Sequence, residues 1–201
     1  MRRLYFYLTL ALLLVSRAAF AVGGGETDWL KTLRNVFSES AYSGSFEVRS
    51  GESSLGSGSA VVSSRGYQVI TPIIEFWSDG QTGWTVDRVI EEVYVEPSPW
   101  TLDSLLASFT QQPIARAVFE GLDVFAYTLT CTDDDFGLES LTLYSDARTK
   151  AVKGALARMS SGAEFTFVLS SSELIPLGSF EESFAFDTAS LSDDYVVTDL
   201  R

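Results

Sequence analysis

Alternation of apolar and polar residues over short runs is the feature that most constrains the fold of this chain. After a first helical segment, apolar side chains recur at every second position, as at Phe46 and Val48 and again at Phe165 and Phe167. A period of two places successive side chains on opposite faces of a strand, whereas a helix needs a period near 3.6. The runs are short and turn residues separate them, so the sequence predicts an antiparallel sheet of roughly eight to eleven strands.

The clearest hairpin signal lies within residues 73–87, EFWSDGQTGWTVD preceded by two isoleucines. Two apolar runs flank Asp79-Gly80, a pair that is typical of a two-residue turn between antiparallel strands. Alternation places Phe76 and Trp77 on opposite faces of the first strand. We expect Phe76 and Trp84 to point to the interior and Trp77 to lie on the convex side or under a neighbouring element.

Helical periodicity appears in three other places. Residues 27–38 predict an amphipathic helix with Thr27 as its N-cap. The segment 98–109 predicts a helix, and Pro113 opens a predicted second short helix that runs to Glu120. The apolar stripe of the 98–109 helix consists of Leu102, Leu105, Leu106 and Phe109. The sequence therefore predicts an α+β fold, mainly β, in which helices cover one face of a large curved antiparallel sheet.

The first 21 residues are typical of a secretory signal peptide. Arg2 and Arg3 precede an apolar run that is too short to span a bilayer comfortably, and Ala19-Phe20-Ala21 is a small-x-small cleavage site. We expect cleavage after Ala21 and one domain over residues 22–201; an uncleaved membrane anchor is the weaker alternative. No cysteine follows the cleavage site, so we expect a soluble exported product without a lipid anchor.

Composition excludes several classes of function. The chain has 27 acidic and 14 basic residues, and three of the basic ones lie in the predicted signal peptide, so nucleic acid is not an expected partner. Histidine is absent, which excludes Ser-His and Cys-His nucleophile pairs and histidine metal sites. Cys131 is the only cysteine, so no internal disulfide forms, and we expect it to be a buried small hydrophobic residue rather than a reactive thiol.

The acidic run Asp133-Asp134-Asp135 lacks the alternating ligand spacing of a calcium loop, so a solvated turn is expected there. Gly56-Ser57-Gly58 lacks the third glycine and the strand–turn–helix setting of a nucleotide-binding loop. We therefore predict that the chain is not an enzyme, has no catalytic residues and binds neither a cofactor nor a metal.

The order of these segments resembles the periplasmic outer-membrane lipoprotein carrier proteins, LolA, and the wider LolA-like superfamily. The resemblance covers most of residues 22–201. It rests on the amphipathic first helix, SGSFEV at 43–48, the hairpin FWSDGQTGWTV, the strand VIEEVYVEP and the ending SFAFDTASLSDDYVVTDLR. No one of these motifs is specific, but their order and spacing together are.

This resemblance implies a strongly curved sheet forming an incomplete barrel, lidded by short helices around an apolar cavity, without enzymatic activity. It implies a monomeric periplasmic carrier that takes acylated lipoproteins from an inner-membrane transporter to an outer-membrane acceptor. Burying a methylene group contributes ~0.8 kcal/mol, so an acyl chain of about sixteen carbons offers ~12 kcal/mol before costs. A LolA-like lipid-binding sensor or regulatory domain of the cell envelope is the alternative. A secreted hydrolase is a third hypothesis, for which the sequence offers no nucleophile–base pair.

Apolar residues of the predicted strands and helices are the candidates for lining such a cavity, with an ordinary hydrophobic core as the competing interpretation. The candidates are Phe46, Phe76, Trp84, Val86, Val93, Leu102, Leu105, Leu106, Phe109, Phe125, Phe165 and Phe167. Arg65, in VVSSRGY, lies close to the place of the arginine that closes the lid in family carriers by bonding to helix backbone. Gly66 stands where that family has proline, and an exposed turn arginine is the alternative interpretation of Arg65.

Overall fold

The computed structural model describes residues 29–98, 107–133, 137–149, 151–178 and 184–201 of the 201-residue chain. The predicted signal peptide at residues 1–21 and the predicted cap Thr27 lie outside the described residues. Three candidate lining residues of the cavity also lie outside them: Leu102, Leu105 and Leu106.

One α-helix, a short 3-10 helix (Thr188–Ser190) and thirteen strands are the regular elements of the described part of the chain. The helix α1 (Trp29–Glu39) confirms the predicted first helix and leads directly into the first strand. The strands are β1 (Ser40–Ser50), β2 (Ser53–Ser63), β3 (Gly66–Ile70), β4 (Ile74–Ser78), β5 (Thr82–Asp87), β6 (Glu92–Pro97), β7 (Phe109–Gln111), β8 (Ala115–Phe119), β9 (Leu122–Cys131), β10 (Leu138–Asp146), β11 (Val152–Met159), β12 (Glu164–Pro176) and β13 (Val196–Asp199).

All thirteen strands belong to one sheet, in the order β13-β6-β5-β4-β3-β2-β1-β12-β11-β10-β9-β7, with β8 also paired to β9. The pairs are antiparallel except β13 and β6, which are parallel. The predicted mainly β class is thus confirmed, and the sheet is not closed into a barrel. The enclosed cavity and the lidding helices stay predictions.

The sheet carries a continuous cluster of buried apolar side chains on one face, which we call the core face. It includes Phe46 of β1, Phe76 of β4, Leu129 of β9 and Phe167 of β12, and Phe37 of α1 packs into it. These five aromatic or aliphatic side chains are each at most 8% exposed. Apolar and polar residues therefore alternate along these strands because every second side chain joins the same cluster.

The predicted helix from Pro113 to Glu120 is wrong, and Phe109 does not belong to a helical stripe. Phe109 begins β7, and Ala115–Phe119 forms β8, which returns as β9 through Glu120 and Gly121. Both turn residues have positive φ, 49° and 74°, as the tight two-residue hairpin turn requires. Pro113 lies between β7 and β8, which both pair with β9. Proline has no N–H group to donate, and it is tolerated here because the position is at the edge of the sheet rather than within a central strand.

Candidate functional site

The core face is the candidate binding surface, because six of the nine predicted lining residues that the structure describes meet there. Phe46, Phe76, Phe109 and Phe167 are buried in its cluster, and Phe125 and Phe165 pack against it while remaining partly exposed. Sequence reasoning missed other members, such as Tyr42, Tyr127 and Leu143, although their alternation with polar neighbours was available as a signal.

Partly exposed apolar side chains form the accessible part of this face. Phe125 lies on β9, and Phe165, Leu169 and Leu174 lie on β12, all packed against the buried cluster. Strand β12 has a register shift against β1 between Ser45 and Phe46, so both Leu169 and Leu174 reach the same face. This bulge lets a long strand present apolar groups along its whole length.

The core-face cluster consists of apolar side chains and tyrosines, and the guanidinium of Arg116 lies over the ring of Phe125, 5.3 Å from its centroid. Tyrosine hydroxyls are its polar groups. Burial raises the pKa of Tyr67 to about 12, with the negative charge of Glu96 as a smaller cause in the same direction. Burial also raises the pKa of Tyr42 and of Tyr127, so these side chains stay neutral near pH 7. The surface suits an acyl chain better than an ionic ligand.

Three predicted lining residues lie on the opposite face of the sheet. Trp84 and Val86 of β5 and Val93 of β6 form a second, smaller cluster, in which Val86 and Val93 are fully buried. The expectation that Phe76 and Trp84 point to the same side is therefore wrong. The register pairs Trp77 with Trp84 and Phe76 with Thr85, so the two tryptophans share the opposite face.

The C-terminal segment, residues 184–195, covers this second cluster. Phe186, Leu191 and Tyr195 pack on it, and the ring of Phe186 lies 5.6 Å from that of Trp77. Gly66 allows the start of this segment to pack closely, because a Cβ there would lie 2.9 Å from Cβ of Phe184. The aromatic ending of the chain thus covers the sheet face that is turned away from the core face.

A buried carboxylate ties this segment to the sheet. Glu75 accepts hydrogen bonds from Trp77 Nε1 at 3.0 Å and from Arg88 Nε at 2.7 Å. Arg88 Nη2 lies 2.6 Å from the same carboxylate, and Arg88 Nη1 donates to Tyr195 Oη at 3.1 Å. The bond to Tyr195 and the carboxylate of Glu75 raise the pKa of Arg88. The arrangement is a structural clamp, because all its members are satisfied within the fold.

Arg65 lies in the exposed turn between β2 and β3. Its backbone N–H donates to Ser63 Oγ at 3.0 Å, and within the described ranges its side chain makes no ion pair. The neighbouring Ser64 N–H donates to the carbonyl of Phe37 at 3.3 Å, which places this turn beside the last turns of α1. Arg65 is thus next to a helix end, and its lid role stays a prediction.

Cys131 and the acidic run complete the set of predicted features. Cys131 is half-buried against the core-face cluster, and its Sγ lies 3.4 Å from the carbonyl of Asp133. Within the ranges that the structure describes, no group of three or more potential metal ligands is close enough to hold an ion. Over the same ranges, no helix has the length and hydropathy needed to cross a bilayer.

Comparison with known proteins gives a likeness of structure rather than of sequence. No family model matches the chain, and no curated protein matches it. A crystal structure of an uncharacterised conserved protein from Thermus thermophilus is similar, with a TM-score of 0.54 at 9% identity. The match covers 85% of this chain and 96% of that one, so the described strands form an arrangement that another whole protein also adopts.

Other solved structures are similar to this chain at lower TM-scores. A putative outer-membrane lipoprotein-sorting protein domain from Vibrio parahaemolyticus has a TM-score of 0.37 at 13% identity, over 76% of this chain and 93% of that one. The MucA/MucB complex from Pseudomonas aeruginosa has a TM-score of 0.41 at 14% identity. That match covers 73% of this chain and 56% of the other, so this chain spans about half of that protein's length.

Proposed function

We propose that the chain is an exported, non-enzymatic carrier that binds the acyl chains of lipoproteins on the core face and ferries them from the inner to the outer membrane. The observation that carries this proposal is the continuous apolar cluster on one face of an unclosed sheet. Phe125, Phe165, Leu169 and Leu174 leave part of that face accessible. An acyl chain laid along it would exchange water for apolar contacts.

The location and partners follow from the same proposal. The predicted signal peptide would deliver the chain to the periplasm, where an inner-membrane lipoprotein-releasing transporter would load it and an outer-membrane acceptor would unload it. The acidic balance of 27 acidic against 14 basic residues supports a protein that does not adhere to anionic membrane surfaces. Such a carrier meets membranes through its partners rather than through its own charge.

Transfer requires binding that is favourable but reversible. Burial contributes ~0.8 kcal/mol per methylene, so full enclosure of several acyl chains would hold the cargo too tightly to release. A face on which the ligand-accessible residues are only half-buried gives part of that free energy. A movable cover would bury the rest of the acyl chain in its closed state and expose it in its open state, so that binding is tight in one state and weak in the other.

Arg65 is the residue we propose to control such a cover, because its turn is hydrogen-bonded to the end of α1. A guanidinium beside a helix C-terminus is attracted to the free carbonyl groups there. Replacing Arg65 by leucine should shift the release of a fluorescent acylated peptide to vesicles. Uptake and release rates equal to those of the unmodified protein would show that Arg65 is only an exposed turn residue.

Binding is tested with the purified protein and a synthetic triacylated peptide. Native mass spectrometry should detect a one-to-one complex, and a co-purifying lipid or acylated peptide would support the proposal further. The same peptide without acyl chains should not bind. Failure of the triacylated peptide to bind in titration calorimetry, together with a clean apo mass, would overturn the proposal.

Two leucines provide a matched pair of variants for locating the site. Leu174 packs half-buried on the core face, and Leu191 packs half-buried on the second cluster at the opposite face. We expect Leu174→Ser to weaken binding of the triacylated peptide and Leu191→Ser to leave it unchanged. Equal effects of both substitutions would place the acyl site elsewhere.

A lipid-binding regulatory domain is the second candidate function. It is favoured by exposed apolar residues in two neighbouring turns at one end of the sheet, Ile73 at 49%, Val89 at 71% and Ile90 at 58%. Arg88 N–H donates to the carbonyl of Ile73 at 2.9 Å, so these turns adjoin. Apolar turn tips suit a protein partner. Stable retention of acyl peptide in the presence of vesicles would favour this regulatory function over transfer.

A further inference from the structure

The outer side of strand β13 is an open sheet edge. β13 pairs in parallel with β6 along one side, from Val196 opposite Glu92 to Asp199 opposite Val95. It ends the strand order, and no other described strand pairs with its second side. An edge of this kind offers a row of unpaired backbone donors and acceptors to another strand.

Alternation decides which backbone groups point outward. Val196 N–H donates to Glu91 O at 2.9 Å and Leu200 N–H donates to Val95 O at 2.8 Å, so both residues are turned to β6. By the period of two, Thr198 is also turned to β6, whereas Val197 and Asp199 present their N–H and C=O groups outward. The outward groups are spaced for an antiparallel partner.

The side chains of this edge are apolar and unusually exposed. Val196, Val197 and Leu200 are 59%, 47% and 52% exposed. Natural edge strands are commonly protected by lysine, proline or a bulge. β13 reads Val-Val-Thr-Asp and contains no lysine, proline or bulge, although it is only four residues long and ends in the charged Asp199. Its exposed apolar residues therefore favour a strand that is covered in solution.

We propose that β13 pairs with β13 of a second copy of this chain, antiparallel and centred on Thr198. In this register Val197 of one copy lies opposite Asp199 of the other, so their outward backbone groups exchange hydrogen bonds twice across the two-fold axis. Val196 lies opposite Leu200 of the second copy, which pairs the two most exposed apolar residues of the edge. The two sheets then become one continuous sheet.

Charge complementarity supports a second copy as the occupant. The segment before β13 carries Asp193 and Asp194, both exposed, and the segment after it carries Arg201, which is half-exposed and also pairs with Asp199 of its own chain at 2.7 Å. An antiparallel pairing places Arg201 of the second copy opposite Tyr195 and beside Asp194. A parallel pairing would instead place the acidic ends together, where they repel each other.

The surface area buried between the two β13 strands limits the affinity of the dimer. A single strand pair buries less surface than the roughly 1,200–2,000 Å² of stable interfaces, so the dimer is weak and depends on concentration. The monomer expected from the sequence is then the dilute form of the same protein. This inference does not depend on the proposed lipid-binding function, because β13 lies at the sheet edge beyond the core-face cluster.

Cysteine cross-linking tests the pairing and its register. In a Cys131→Ala background, Thr198→Cys places two thiols opposite each other in a pair that is not hydrogen-bonded, with a Cα separation of about 4.5 Å. Disulfides need Cα separations of about 4.4–6.8 Å. We expect Thr198→Cys to convert to a disulfide-linked dimer in a glutathione redox buffer. Val197→Cys is the control, since the two copies of residue 197 are offset by two positions in this register.

Sedimentation equilibrium of the protein with its natural residues tests self-association without a cross-link. Val196→Lys should abolish the concentration-dependent rise in mass, because it places a charge opposite Leu200 of the second copy. Val118→Lys is the matched control, since Val118 is 70% exposed but lies on β8 and not on β13. A monomer at all concentrations, or cross-linking of Val197→Cys in preference to Thr198→Cys, would overturn the proposal.

Discussion

Replacing Arg88 by alanine tests whether the Glu75 clamp holds the C-terminal segment on the sheet. Glu75 is a buried carboxylate whose side chain is 10% exposed, and Arg88 supplies two of the nitrogen atoms around it, at 2.6 and 2.7 Å. Without Arg88, the carboxylate would keep the hydrogen bond from Trp77 Nε1 at 3.0 Å and would lack its counterion. Tyr195 would lose the donor that Arg88 directs to its hydroxyl group.

The size of the effect follows from the burial of the two partners. Removing one member of a fully buried ion pair costs about 3–5 kcal/mol, whereas an exposed pair contributes about 0–1 kcal/mol. The Arg88 side chain is 34% exposed, so solvent screens part of the interaction. We expect a loss of about 2–3 kcal/mol in the free energy of unfolding. For a domain of this size, each kcal/mol lowers Tm by about 2–4 °C, which gives a decrease of about 4–12 °C.

Differential scanning calorimetry and urea unfolding at pH 7 measure this loss directly. Arg148→Ala is the control, because Arg148 is exposed in the turn after β10 and its removal should change the free energy of unfolding by less than about 0.5 kcal/mol. The double variant Glu75→Gln with Arg88→Ala should recover part of the stability, since it removes the uncompensated charge. Equal stability of Arg88→Ala and Arg148→Ala would refute the clamp.

Three further variants test the packing and the titration of the fold. Leu129→Ala removes a fully buried side chain of the core face and should lower the free energy of unfolding in urea by about 2–5 kcal/mol; a smaller loss would mean that the site collapses. Gly154→Ala would place a Cβ 2.6 Å from Cζ of Phe119, so a destabilisation of about 1–3 kcal/mol in the same assay is expected, and unchanged stability would contradict this packing. Burial raises the pKa of Tyr67 from 10.0 to about 12, so its contribution to stability is complete below pH 10 and is lost as the pH rises towards 12. Ultraviolet absorbance of the native protein and of Tyr67→Phe checks this; a titration of Tyr67 near pH 10 would contradict it.

Local patterns were sufficient to predict strands and turns, as the hairpin of β4 and β5 shows. The predicted strands at residues 73–78 and 81–87 correspond to Ile74–Ser78 and Thr82–Asp87. The connection holds Asp79 to Gln81 rather than two residues, and Asp79 Oδ1 accepts hydrogen bonds from the N–H groups of Gln81 and Thr82. An aspartate that caps its own turn extends the loop without changing the alternation of the strands.

Which face of this hairpin is the interior could not be decided from local residues. Both faces carry large apolar groups, Phe76 on one and Trp77 with Trp84 on the other. Trp84 would share a face with Phe76 only in a register that pairs Trp84 with an even-numbered position of β4. A two-residue turn and the observed register both pair Trp84 with an odd-numbered position. Trp84 is partly buried because it packs, together with Phe186 and Leu191 of the distant C-terminal segment, on the second cluster.

Strand β8 shows how a weak periodic signal misleads. Residues Ile114, Val118 and Phe119 fit a helical stripe, but five residues are too few to separate a period of 3.6 from one of two. Glu120-Gly121 was the better signal, because both residues adopt positive φ in the turn to β9. Phe119 then stacks on Tyr144 at 4.4 Å between centroids, a contact that local sequence does not reveal.

One face of the sheet is covered by the C-terminal segment, and the other is the proposed binding surface. The structural role and the proposed function can therefore be tested by substitutions on different faces. The C-terminal segment covers the face with Trp84 and is fixed there by Arg88 and Tyr195, so its residues are committed to packing. The core face keeps half-buried groups such as Leu174 that a ligand can reach. Loss of Arg88 should therefore lower stability without changing acyl binding by the folded protein, whereas loss of Leu174 should weaken acyl binding more than its small cost in stability explains. If both substitutions changed binding in proportion to stability, the core face would be an ordinary hydrophobic core and the carrier proposal would lose its basis.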